Sequence, residues 1–164
     1  MCSSDLPVAP LVDKVVIDTI NYSPGRDGRL PELDECAITT SELLQRHLSG
    51  AEVVKAFNNI VYTHLGVLAR PPGAADRSTL PIAGDRSEAK ARASELLNLL
   101  GYDALDTGSL RDSWRFERDT PAYCAPYISD PTVTDLQGAV ADPGRPADAD
   151  ALQAALAAAR RREH

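Results

Sequence analysis

The stretch Lys14-Val15-Val16-Ile17-Asp18-Thr19-Ile20-Asn21 decides how the chain is read. Its apolar centre is short, continuous and β-branched, and it stops at polar residues. A strand buried on both faces of a sheet reads this way, whereas a half-exposed strand alternates apolar and polar residues. Residues 21–28 then carry Pro24, Gly25 and Gly28, so the chain leaves the sheet as a loop.

The same signature returns downstream, with helical patterns in between. Thr39 stands three residues before Glu42, the spacing of a capping box, and Leu43, Leu44 and Leu48 continue it as an apolar stripe closed by Gly50. Glu52 to Phe57 is a second buried-strand candidate, ending at Asn58-Asn59. Ile60, Val61, His64, Leu65 and Leu68 recur at helical spacing until Pro71-Pro72-Gly73. Thr79 to Ala83 is a third strand, which Pro81 demotes toward an edge or a strand start because it has no N–H to give a ladder. Asp85 to Glu88 offers a further capping signal. Ala89, Ala93, Leu96, Leu97 and Leu100 then form an amphipathic helix stopped by Gly101. Tyr102 to Asp106 is a weak fourth strand.

Strands alternating with helices in this way imply parallel βαβ units, hence an α/β fold with a parallel sheet flanked by helices. From Gly108 to Asp135 the periodicity fades into a loop region holding Trp114, Phe116, Tyr123 and Tyr127. The alanine-rich stretch from Asp148 to Arg162 is helical by propensity, with acids in its first turn and arginines in its last.

Totals narrow the function. With 164 residues, 43% hydrophobic and 25% charged, the chain supports one domain with a core, and a net charge of −7 opposes the phosphate backbone of nucleic acid. No stretch approaches the roughly 20 apolar residues of a membrane span, and no signal peptide opens the chain, so a cytoplasmic location is expected. Three scattered cysteines, Cys2, Cys36 and Cys124, suggest neither a disulfide framework nor a zinc knuckle. Neither a GxSxG elbow nor a GxxxxGK[ST] loop is present, and His47 and His64 read as ordinary helix residues.

In an open parallel sheet, ligands bind beyond the carboxyl ends of the strands. The residues there are Thr19 to Asn21, Phe57 to Asn59, Gly84-Asp85 and Thr107 to Ser109. Their amides and hydroxyls can bond a carboxamide or a ribose without adding charge, although Asn and Asp in such places more often make turns and caps.

At these strand ends the sequence resembles one family. Lys14 to Gly28 is similar to the KVVIDTxNYxPxRDG segment of the deazaflavin-dependent NADP oxidoreductases, Val53 to Asn58 to their VVKAFN segment, and Leu80 to Asp85 to their LPIAGD segment. Ser113 to Phe116 and Thr120 to Tyr123 resemble the family's SWRF and TPAY stretches, and the ordered match runs over about residues 7–160. The resemblance implies a Rossmann-type protein in which hydride passes directly between NADP(H) and a bound deazaflavin or flavin, without an acid–base residue. It implies that Thr19, Asn21, Ala56, Phe57 and Asn58 line the place where the two rings meet, and a homodimer is a family-level expectation.

One departure stands out. The family begins with a strand, a glycine-rich turn and a helix, and no GxGxxG precedes Lys14; the first glycine is Gly25. Residues 7–110 accordingly read as the C-terminal part of a Rossmann-like NAD(P)-binding domain lacking its first nucleotide-binding βαβ unit, followed by a loop region and helix over 111–164. Met1-Cys2-Ser3-Ser4-Asp5-Leu6 reads like translated sequencing-adaptor sequence, a non-native leader. The expectation is a fragment of an NADP(H)-dependent oxidoreductase that alone binds NADPH weakly or not at all and tends to aggregate. The alternative is an inactive interaction module with a nucleotide-binding-like fold.

Overall fold

The computed structural model describes residues 6–161, so Met1–Asp5 of the expected leader and the terminal His164 lie outside the described residues. In chain order the elements are β1 (Val15–Asp18), α1 (Pro24–Asp27), α2 (Pro31–Asp34), α3 (Thr40–His47), β2 (Glu52–Lys55), α4 (Tyr62–Val67) and β3 (Thr79–Gly84). They continue with α5 (Ser87–Leu99), β4 (Asp103–Asp106), 3-10 turns at Leu110–Phe116 and Ala125–Tyr127, α6 (Leu136–Ala141) and α7 (Ala149–Ala158). The loop expected over residues 21–28 thus contains one helical turn, opened by Pro24, whose fixed φ suits a first helical position.

The fold is α/β: a four-stranded sheet of order β1-β2-β3-β4 with helices on both faces. Neighbouring residues on a strand face opposite ways, and the core divides accordingly. Val54, Leu80 and Ile82 pack with Ala89, Ala93 and Leu97 of α5, while Val53 packs with Leu44 of α3 and with Leu48, the residue that ends it. Ala83, next to Ile82, meets Leu152 and Leu156 of α7. Each fully buried leucine in these layers contributes about 1.5–3 kcal/mol. Along α5 the buried residues are Ala89, Ala93 and Leu97; Leu96 and Leu100, expected in the same stripe, are exposed.

The all-parallel sheet is corrected in one place. β1 and β2 pair in parallel, as do β3 and β4, but β2 and β3 run antiparallel through Val54–Gly84 and Lys55–Ala83. The segment between them holds the short α4 and then a loop, in place of the longer helix a crossover back to a parallel strand generally uses.

Pro81, expected at an edge or a strand start, is the third residue of a central strand buried along its whole length. The hydrogen bonds explain this. Ile82 accepts from Thr107 N and Gly84 donates to Gly108 O, so even-numbered residues of β3 point their backbone toward β4. Pro81 points the other way, where β2 pairs only with Ala83 and Gly84, and where Thr79 N instead reaches Ala147 O. The N–H that proline lacks has no ladder partner to lose.

At the start of α3 the capping box is complete: Thr39 accepts from Glu42 N, and the Glu42 carboxylate accepts from Thr39 N. The capping signal at Asp85 is not used on α5. Its carboxylate instead accepts from Leu110 N, tying the end of β3 to the turn after β4.

Candidate functional site

Two parallel neighbours, β1 and β2, bring their carboxyl ends side by side, and the polar residues that follow them meet. Asn21 Nδ2 donates to the Asn58 carbonyl at 2.8 Å, and Asn58 Nδ2 donates back to Asn21 Oδ1 at 3.1 Å and to the Phe116 carbonyl at 2.9 Å. Phe57, just before, takes a left-handed φ of 62°, which a bulky residue adopts only where its surroundings compel it.

Beneath this pair lies a buried ion cluster. Lys55, the last residue of β2, has no exposed surface; its Nζ lies 3.2 Å from Asp18 Oδ2 and 3.4 Å from Glu117 Oε1, and it also donates to the Ile20 carbonyl. Asp18 further accepts from Ser41 Oγ at 2.6 Å and from Ile20 N at 2.9 Å. A buried charge persists only when it is bonded this fully. The cluster therefore fixes residues 18–20 and, through them, the direction in which Asn21 leaves the sheet.

A cleft of about 1090 Å3 opens at this point, lined by Thr19, Ile20, Asn21, Arg26, Tyr123 and Cys124 among others. Of the five residues that the resemblance names, Thr19 and Asn21 line this cleft. Ala56, Phe57 and Asn58 are not on its wall: Ala56 is fully buried, Asn58 is 4% exposed, and Phe57 packs against the core. Asn58 stands one layer behind Asn21 and holds it. Its own Oδ1 is buried without a hydrogen-bond partner.

The remaining strand ends do not join this site. Because β3 runs antiparallel to β2, Gly84, Asp85, Thr107, Gly108 and Ser109 lie at the opposite end of the sheet. Their polar groups make local structure: Thr107 Oγ1 donates to Ile82 O, and Ser109 and Asp112 form a second capping box.

The far wall went unassigned in the sequence because it comes from segments without periodicity. Burial pushes the Cys124 thiol up to about 11 and raises the Tyr123 hydroxyl as well, so both stay protonated at neutral pH. At the mouth, Arg26 bonds Asp27 and the Asn21 carbonyl, and holds the Asp27 carboxyl well below the usual carboxylate range. The cleft thus offers an amide, hydroxyls and arginines, together with the carboxylates of Asp27, Asp119 and Asp135. Among the described residues no group of His, Cys, Asp or Glu is placed to hold a metal ion, and no helix is long and apolar enough to cross a membrane.

No protein-family profile matches the sequence. It is 35% identical over 57 residues to the protein YjhV of Escherichia coli (strain K12), a match covering 35% of this chain and 42% of YjhV. The hypothetical protein SMa0349 from Sinorhizobium meliloti has a similar crystal structure, with 27% identity, a TM-score of 0.56, and coverage of 71% of this chain and 57% of that one. A "putative f420 dependent nadp-reductase" from Arthrobacter sp. FB24 is 27% identical over 63% of this chain and 46% of its own, at a TM-score of 0.47. The chain spans less than two thirds of the length of each of these proteins.

Proposed function

We propose that this chain forms the ring-facing side of an NADP(H)-dependent oxidoreductase that passes hydride between NADP(H) and a deazaflavin or flavin. The observation that carries the reading is the amide of Asn21, held by Asn58 at the wall of the cleft beyond the carboxyl ends of two parallel strands. The strand-end motifs that resemble the deazaflavin-dependent family fall on these same residues. When bound, the nicotinamide supplies a hydride and the partner ring accepts it.

The residues present suit that task. Hydride transfer needs two rings held in a near-attack geometry and no proton donor, and a rigid amide can orient a ring edge without competing for a proton. After its two bonds to Asn58, the Asn21 amide keeps one N–H and one lone pair. Asn58 Oδ1, directly behind it, is a buried acceptor without a donor. No glycine-rich phosphate loop occurs in these 164 residues, so the chain's own contribution is to the rings rather than to the pyrophosphate.

The test is a titration of oxidised deazaflavin and of FMN, followed by ring fluorescence. Saturable quenching that weakens about tenfold in Asn21→Ala and Asn58→Ala is expected, each variant being checked for a native circular dichroism spectrum. Absence of saturable quenching by either ring overturns the reading and leaves the interaction module in its place.

A further inference from the structure

A second cleft, of about 700 Å3, adjoins the first and shares Arg118, Asp119 and Thr120 with it as a common wall. Four arginines line it: Arg29, Arg118, Arg160 and Arg161. Its three carboxylates are Asp34, Glu117 and Asp119. Asp34 is bonded to Arg29 at 3.0 Å, and Glu117 lies beside the buried Lys55. Four arginines against three carboxylates leave a local positive excess in a chain whose net charge is −7, since Lys55 is shared between Glu117 and Asp18.

Arg161 gives this excess a direction. Its guanidinium carbon lies over the Trp114 ring, 5.9 Å from the centroid, so the side chain is held by a cation–π contact that uses none of its N–H donors. Its Nε is buried and has no hydrogen-bond partner. A buried charged donor left unmatched is costly, and an oxyanion is the group that best relieves it. Arg118, on the shared wall, forms no ion pair or hydrogen bond among the described residues, whereas Arg160 caps the end of α7 through the Ala157 and Ala159 carbonyls.

We infer that this second cleft is an oxyanion subsite, in which Arg161, braced on Trp114, and Arg118 bind a multiply charged phosphate or carboxylate group. The subsite does not depend on what the neighbouring cleft holds.

Trp114 is the only tryptophan, so the site carries its own reporter. The full chain is titrated with pyrophosphate and, separately, with citrate, at constant ionic strength set by chloride, with Trp114 emission and calorimetry as parallel readouts. Saturable binding of pyrophosphate assigns a phosphate group, and of citrate alone a carboxylate. In either case the affinity falls at least tenfold in Arg161→Gln, falls measurably in Arg118→Gln, and is unchanged in Arg111→Gln, an exposed arginine off the cleft. Arg161→Lys, which keeps the charge and removes the Nε donor, also binds more weakly. No saturable binding of either anion to the wild-type chain, or binding equal in Arg161→Gln with its circular dichroism unchanged, overturns the inference. Failure of ring binding in the first cleft leaves it standing.

Discussion

Lys55 and Asp18 form an ion pair with neither side chain exposed to solvent, across the carboxyl ends of two parallel strands. Glu117 shares the same ammonium from a turn far along the chain. Lys55→Met would leave two carboxylates facing each other without a cation, and breaking a buried pair in this way costs about 3–5 kcal/mol. Urea unfolding should show a loss of that order, and the double variant Lys55→Met/Asp18→Asn should recover part of it. A loss in the double variant equal to the sum of the Lys55→Met and Asp18→Asn losses would mean that the pair is not coupled.

The free edge of β1 leads to a second expectation. Lys14 and Asp18 accept from Glu52 N and Ala56 N, so the even-numbered residues of β1 face β2, while Val15 and Ile17 direct their backbone groups to the flank where no described strand pairs. An unpaired edge with β-branched residues invites edge-to-edge association. Val15→Pro removes an N–H on that flank alone, as Pro81 does on β3. Light scattering over a concentration series should show the wild-type chain self-associating and the variant less so; identical behaviour would move the association elsewhere.

How far the sequence discloses this arrangement depends on the range of each interaction. The capping box of Thr39 and Glu42 is made within four residues, and the meeting of Asn21 with Asn58 follows once their strands are parallel neighbours. The direction of β3 depends on how the segment after α4 packs, which no local pattern encodes, and with it goes the fate of Asp85 and Ser109. Pro81 misleads for a related reason: what matters is which flank its missing N–H faces. The Glu117–Lys55 contact comes from an aperiodic segment, and Arg161, read in the sequence as part of a helix's last turn, lies beyond the end of α7 at Ala158, where charge alone does not reveal Trp114 as its partner.

Gly101 should be among the least replaceable glycines. Its φ is 96°, and a Cβ there would stand 2.9 Å from both Ala69 Cβ and the Arg70 backbone nitrogen, neither of which can swing aside. Gly28, at φ 80°, has nothing within 4 Å of such a Cβ. Gly28→Ala should therefore cost about 1 kcal/mol, for the backbone conformation alone, and Gly101→Ala more than that. Thermal unfolding of the two variants tests the order, and equal shifts would mean that the helix end relaxes freely around Ala69.

Cys124 sets an alkaline limit on stability. Burial raises its thiol from an ordinary value of 9.0 to about 11, so in the folded chain the proton is held where the unfolded chain releases it. The contribution is whole below pH 9 and is lost as pH rises from 9 toward 11, because over that window the unfolded state gains a thiolate that the folded state refuses. Cys124→Ala removes this titration, so its unfolding midpoint should fall less steeply than that of the wild type across the window. The same burial should make Cys124 slow to react with iodoacetamide at neutral pH, since the thiolate is the nucleophile. Rapid labelling of Cys124, located by mass spectrometry after digestion, would show that this wall of the cleft opens to solvent.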